Sequence, residues 1–246
     1  MIKPQRALVL PTVFLALAAA YRCSVGAPAP SAGSLSGGHY LAPGVIDPVS
    51  LLTPPPAMGS IAGRADLEAV LQTQAWRSAA QVAWAKRIAD GDVFDNADVL
   101  GPWFTASNLP FTKHFVELVE DDVRGLVGRA KDAYNRPRPP AADPRVTPCV
   151  HYPSGASYPS GHASSIYARA GILAEVFPDE REALFAWADR AAWARVIGGV
   201  HFPTDLVAGR VLAGAVIEAM KKNADFRAAV ERCQSEAAPF LLKKAS

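Results

Sequence analysis

The sequence predicts an all-α protein, a single-domain helical bundle whose unusual residues gather in loops at helix ends. Two observations predict it. Apolar residues recur at helical spacing in long stretches, and no run shows the sustained period of two, bounded by hairpin turns, that strands require. No internal repeat suggests a solenoid, so the elements pack around one core.

The elements follow in order. Residues 66–89 carry Leu67, Val70, Leu71, Ala75, Val82 and Ile88 on one helical face, closed by Asp90-Gly91. Residues 115–133 repeat the pattern through Leu118, Val119, Val123, Leu126 and Val127. A third helix spans 164–177 and stops at Pro178; a fourth spans 180–197 and stops at Gly198-Gly199. A fifth spans 204–220, with Pro203 suited to the first turn because its missing N–H has no partner there anyway. A short terminal helix covers 225–237.

Three regions precede or frame this bundle. Residues 1–20 read as an export leader: Lys3 and Arg6 are followed by an apolar stretch, 7–20, broken by Pro11 and Thr12. A spanning helix needs roughly 20 apolar residues, so a cleaved signal is favoured over an uncleaved anchor. Ala18-Ala19-Ala20 offers a cleavage site and Val25-Gly26-Ala27 a later one; Tyr21 and Arg22 argue against a lipid anchor on Cys23. Residues 28–58 form a Pro/Gly/Ser-rich arm, and folded structure is expected over 59–246. No later segment is apolar enough to span, which places the mature chain in the periplasm or outside the cell, with no integral membrane association. The oligomeric state is open, although such an arm suits a homo-oligomer.

Composition narrows the function classes. Half of the 246 residues are hydrophobic, enough for a sizeable core. The net charge is +2 and the cations are scattered, which argues against a nucleic-acid surface. Any anion recognition must therefore come from a few focused side chains. The three cysteines have no CxxC spacing; in an oxidising compartment Cys149 with Cys233 is the preferred pair, since Cys23 lies by the leader.

Three segments make sense together. The first, Lys131-Asp132-Ala133-Tyr134-Asn135-Arg136-Pro137-Arg138-Pro139, ends a helix in two Arg-Pro steps that fix where each guanidinium points, suiting an oxyanion clamp. The second, Tyr158-Pro159-Ser160-Gly161-His162, opens a helix. Its free N–H groups and glycine form an anion cradle, with the Ser160 hydroxyl and the His162 proton at the rim. The third runs from Arg195 through Gly198-Gly199 to His201 and Asp205, four apart and able to meet on one face. A carboxylate on one ring nitrogen leaves the other as a lone-pair nucleophile. Alone, each segment has an ordinary structural explanation: dipole compensation, a serine cap, a satisfied histidine. Together, two imidazoles, a carboxylate and three cations match the needs of a phosphoryl group: charge on its equatorial oxygens, an in-line nucleophile and an acid for the leaving oxygen.

The spacing Lys131-x6-Arg138-Pro139, Pro159-Ser160-Gly161-His162 and Arg195-x5-His201-x3-Asp205 resembles the three-part signature of the type 2 phosphatidic acid phosphatase superfamily. That superfamily includes the bacterial class A nonspecific acid phosphatases and the vanadium haloperoxidases. The export leader, Leu51-Leu52-Thr53-Pro54-Pro55-Pro56 and Gly155-Ala156-Ser157-Tyr158 resemble class A specifically. The resemblance implies hydrolysis of small-molecule phosphate monoesters, of broad specificity, without metal or other cofactor. By position it implies His201 as nucleophile oriented by Asp205, His162 as acid and then base, and Lys131, Arg138, Arg195, Ser160 and Gly161 as phosphate binders. It also implies an acid optimum. One departure is Ala194, where Ser commonly precedes the arginine; altered affinity rather than lost activity is expected from it.

Two rivals stand beside this reading. A vanadium-dependent haloperoxidase would use the same cationic pocket. A non-catalytic anion- or metal-binding protein would use His151, His162, His201 and Asp205, although the surrounding cations would repel a metal ion. His151 is otherwise read as structural.

Overall fold

The computed structural model describes residues 38–244, so the leader and Cys23 lie outside the described residues. Every regular element among the described residues is helical. The helices are α1 (Pro48–Leu51), α2 (Ile61–Trp76), α3 (Ala79–Ala89), α4 (Ala97–Leu100), α5 (Pro110–Tyr134), α6 (Pro139–Ala142), α7 (Gly161–Val176), α8 (Arg181–Ile197), α9 (Pro203–Met220) and α10 (Ala224–Lys244).

The core is built around α7, which is buried on nearly every side and packs on α5, α8 and α9. Its closest approach is to α9. A side chain at Gly209 would meet the Ser160 carbonyl, the Ala163 methyl and the Ser164 nitrogen, all at 3.0 Å. A Cβ there would be tighter than most side chains tolerate and would push the two helices apart by a few tenths of an ångström. This close approach brings the start of α7 and the first turn of α9 together, where the Ser160 N–H donates to the Asp205 carbonyl at 3.0 Å.

Helix boundaries depart most from expectation in two places. The single helix expected over 66–89 is two, because Ser78 and Gln81 form a reciprocal capping box that starts α3. Arg77 at the break donates to the carbonyls of Ile197 and Thr147, both at 2.9 Å, and so covers the end of α8. The terminal helix is longer than expected and continues through Pro239.

Packed structure also begins well before Gly59. The backbone N–H groups of His39, Tyr40 and Leu41 all donate to the Asp122 carboxylate, and Leu41 and Leu52 are buried. α1 and the residues just after it brace two of the three signature segments. Tyr134 Oη reaches the Val49 and Leu52 carbonyls at 2.8 and 2.7 Å, Tyr158 Oη donates to the Thr53 carbonyl, and the two rings meet edge to face.

The expected Cys149–Cys233 bridge is not formed; both thiols are free. Cys233 is buried on α10 beside Thr112, and burial pushes its thiol up to about 11. Cys149 instead lies against the end of α8, its N–H on the Gly198 carbonyl and its thiol 3.5 Å from the Ile197 carbonyl. The two occupy different parts of the bundle.

Candidate active site

Each signature segment is aimed by a helix end. Lys131 lies in the last turn of α5, which ends at Asn135 in the left-handed region (φ 41°), a conformation asparagine tolerates better than most residues. The chain then turns through Arg136-Pro137-Arg138 into α6, where Pro139 takes the first helical position. Ser160 caps α7, its Oγ accepting from the Ala163 N–H at 3.3 Å, so Gly161 and His162 are the first two helical residues.

The end of α8 is a Schellman turn. Val200 N–H returns to the Arg195 carbonyl (3.2 Å) and Gly199 N–H to Val196 (2.9 Å), with Gly199 at φ 74°. That reversal carries the chain from Arg195 directly to His201. Asp205 is the third residue of α9 and its carboxylate accepts the Phe202 N–H at 2.9 Å, so one side chain both caps the helix and serves the site.

His201 and Asp205 meet as the spacing predicts. His201 Nδ1 is 3.2 Å from Asp205 Oδ2, and Arg138 Nη1 is 2.9 Å from His201 Nε2. An arginine can only donate, so Nε2 carries the lone pair and Nδ1–H faces the carboxylate. Burial, outweighing Asp205, holds the imidazole well below its usual pKa and therefore neutral. For Asp205, burial pushes upward, but His201, Arg136 and Ser157 together win and keep the carboxylate ionised.

Four residues outside the predicted set hold this pair. Arg136 is buried and bridges two carboxylates, Asp205 Oδ1 and Asp66 Oδ2, each at 2.7 Å. Its charge lies 4.1 Å over the Phe202 ring. Thr204 joins Asp66 and Arg136, and Ser157 donates to Asp205. The double Arg-Pro step contained the signal for Arg136, yet only a fold could tell which guanidinium turns inward and which faces the cleft.

Two of the three predicted cations lie with the histidines in one cleft, while Arg195 and Ser160 do not line it. His201, Arg138, Lys131, Gly161 and His162 all line one cleft of about 410 Å³. Lys131 donates to the Ala156 carbonyl, and burial followed by Arg138 brings its pKa down to about 8. His162 Nε2 lies 3.3 Å from the Ala89 carbonyl; burial, then Arg195, lowers it to about 4. Arg195 is only 1% exposed, and neither its Nε nor its Nη1 has a hydrogen-bond partner. Burial, then Arg138, lowers its pKa to about 10. This guanidinium, with open donors beside Arg138, does not line the cleft, and buried donors of this kind ordinarily have a partner.

Ser160 is fully buried and its hydroxyl oxygen is used as the cap. His151 is exposed and does not line the cleft, so the imagined four-ligand metal set does not assemble. Ala194 is fully buried in α8.

Replacing Arg195 with methionine removes an unpaired buried charge. The ligand-free variant is expected to melt no lower than the parent, since burying an unpaired charge is costly. Phosphate should bind it about 30-fold more weakly, the loss of roughly 2 kcal/mol of charge-assisted bonding. Thermal melts with and without phosphate check both; a lower ligand-free melting point with undiminished phosphate stabilisation would contradict it.

Comparison with known proteins agrees with this architecture. Residues 122–227 match the PAP2 superfamily. The chain is 30% identical over 203 residues to an acid phosphatase of Zymomonas mobilis subsp. mobilis, covering 77% of this chain and 75% of that one. It is 27% identical over 200 residues to a non-specific acid phosphatase of Providencia stuartii, covering 78% and 81%. Among solved structures, the fold is similar to a transmembrane PAP2-type phosphatidylglycerolphosphate phosphatase from Bacillus subtilis. The TM-score there is 0.51 at 21% identity, over 67% of this chain and 87% of that one. It is also similar to a bacterial vanadium-dependent iodoperoxidase (TM-score 0.54, 19% identity, 73% and 56%). The protein is a phosphoric monoester hydrolase. It belongs to the PAP2 superfamily, with the bacterial acid phosphatases as its named relatives. No helix among the described residues is long and apolar enough to cross a membrane.

Proposed function

We propose that this chain is an exported, metal-independent acid phosphatase of broad specificity that works through a phosphohistidine. The observation that carries the reading is the neutral, Asp205-held His201, whose Nε2 lone pair faces Arg138 in a cleft shared with Lys131 and His162.

The ester phosphate is held by Lys131, Arg138 and Arg195, with the Gly161 N–H and the Ser160 hydroxyl hydrogen as neutral donors. His201 Nε2 attacks phosphorus, the N–P bond forms, and the bond to the leaving oxygen breaks. His162 gives that oxygen its proton. The ring gains positive character as it attacks, and the ionised Asp205 on Nδ1 offsets it. Water then attacks phosphorus, His162 takes its proton, and the N–P bond breaks to restore neutral His201. Every charge the phosphoryl group develops is met by a fixed side chain, so the residues themselves supply the role a metal ion would fill. The leader composition of residues 1–20 supports a periplasmic or secreted location.

Hydrolysis of a chromogenic phosphate ester with and without EDTA across pH tests the reading. Equal rates under chelation, highest on the acid side, are expected. Activity that chelation removes and a divalent cation restores would overturn metal independence.

A further inference from the structure

The carboxylate of Asp66 on α2 belongs to no signature segment, yet it ends a chain of hydrogen bonds that starts at His201. His201 Nδ1 is 3.2 Å from Asp205 Oδ2, and Arg136 Nη1 donates to Asp205 Oδ1 at 2.7 Å. Arg136 Nη2 then donates to Asp66 Oδ2, also at 2.7 Å. One guanidinium therefore stands between two carboxylates, and all three groups are buried. Asp66 is tied as well to the first turn of α9: Thr204 donates to it through its N–H, at 3.3 Å, and through its hydroxyl.

Asp205 is heavily engaged. Its Oδ2 accepts from the Phe202 N–H and from Ser157 as well as facing His201, and its Oδ1 takes Arg136. The His201 contact is the longest of the four. A cation held by Asp205 alone would cancel the charge that the His201 ring needs beside it when it turns positive. A second carboxylate on the same guanidinium divides that cation between two partners. Two carboxylates against one guanidinium leave one negative charge in the group, and in a buried network such a charge is felt across several hydrogen bonds.

We propose that Asp66 is a positioning residue that keeps Arg136 from neutralising Asp205 and thereby stabilises the phosphohistidine formed on His201. The inference rests on the reading of His201 as nucleophile, and it adds which chemical step the α2 carboxylate governs. When Nε2 bonds to phosphorus and the leaving oxygen departs, the ring keeps its Nδ1 proton and becomes cationic. Asp66 favours that state over the neutral ring, so it speeds formation of the intermediate and slows its breakdown. A contact that only holds the fold has no such opposite effects; its loss loosens the site and slows both steps.

The test follows both steps by rapid quench with ³²P-labelled p-nitrophenyl phosphate in the parent, Asp66→Asn and Thr204→Val, with the inhibition constant of inorganic phosphate measured beside them. Asp66→Asn keeps the size and an acceptor oxygen for Arg136 but removes the charge. Formation of the phosphoenzyme is expected to slow about tenfold, the effect of one charge acting through two intervening groups. Breakdown should be unchanged or faster, so the labelled fraction at steady state falls. Phosphate should inhibit as well as before or better, because Lys131 and Arg138 are held by other contacts and a nearby negative charge is gone. Thr204→Val removes a hydroxyl shared by Asp66 and Arg136 without altering any charge, and it reports even if Asp66→Asn folds poorly. Its labelled fraction should not fall. Both steps slowing together in Asp66→Asn with weaker phosphate inhibition, or an equal loss of label in Thr204→Val, would sink the proposal and leave Asp66 a structural part only. A parent that never carries label would overturn the phosphohistidine itself, so the two failures are separable.

Discussion

Replacing His201 with alanine is expected to lower kcat by at least about 10⁴-fold and to abolish phosphoenzyme formation, while leaving a folded protein that still binds phosphate. The magnitude is that of losing a nucleophile whose partners cannot act without it. The imidazole is buried, its Nδ1 on Asp205 and its Nε2 facing Arg138, and no other described side chain presents a neutral nucleophile at that point. Phosphate binding should survive because Lys131, Arg138 and Arg195 are positioned by other contacts: Lys131 by the Ala156 carbonyl, Arg138 by the Gly155 and Val200 carbonyls, and Arg195 by the end of α8. Rapid acid-to-base quench of enzyme mixed with ³²P-labelled ester reads the intermediate. The parent should retain label that is stable in base and lost in acid, as an N–P bond is. A labelled His201→Ala protein would refute the assignment, and unlabelled parent at every quench time would refute the intermediate.

The same site shows what a sequence can and cannot declare. His201 and Asp205 were legible because four residues make one helical turn and the reach of both side chains is local. The helix start at Gly161 was legible because Ser160 announces it. The close approach of the second and third segments goes with Gly209, where α7 and α9 touch, and that is visible only once the two helices are known to be neighbours. Arg136 and Asp66 were missed for a related reason. They lie 70 residues apart, and their bond exists only because α2 packs beside the start of α9. The break between α2 and α3 was hidden in an unbroken apolar pattern, while Ser78 with Gln81 three residues later carried the readable signal for it. The N-terminal brace was obscured by its Pro-rich composition, because Thr53 and its neighbours bind through carbonyl oxygens, which every sequence has. The cysteine pairing failed because two thiols in one chain say nothing about distance.

Replacing His162 with alanine is expected to separate the two chemical steps. With an alkyl phosphate, whose leaving oxygen needs a proton, turnover should fall about 10³-fold. With p-nitrophenyl phosphate, whose leaving group departs without one, the first step should survive while attack of water, now without a base, becomes slow. Labelled phosphoenzyme should therefore accumulate. The pH profile follows from the same residue. In the ligand-free cleft, burial and then Arg195 hold His162 near 4, so it is neutral over most of the working range. The required proton must arrive with the ester, whose second ionisation lies at about 6. For the parent, kcat/KM is expected to rise as pH falls through about 6. It should fall again above about 8, where Lys131, its pKa lowered by burial and Arg138, loses its charge. In His162→Ala, first-turnover rates with p-nitrophenyl phosphate should lose the descent near 6 and keep the one near 8. If the descent near 6 persisted unchanged, His162 would not be the group that receives and passes on that proton, and the acid would have to be sought elsewhere on the cleft wall.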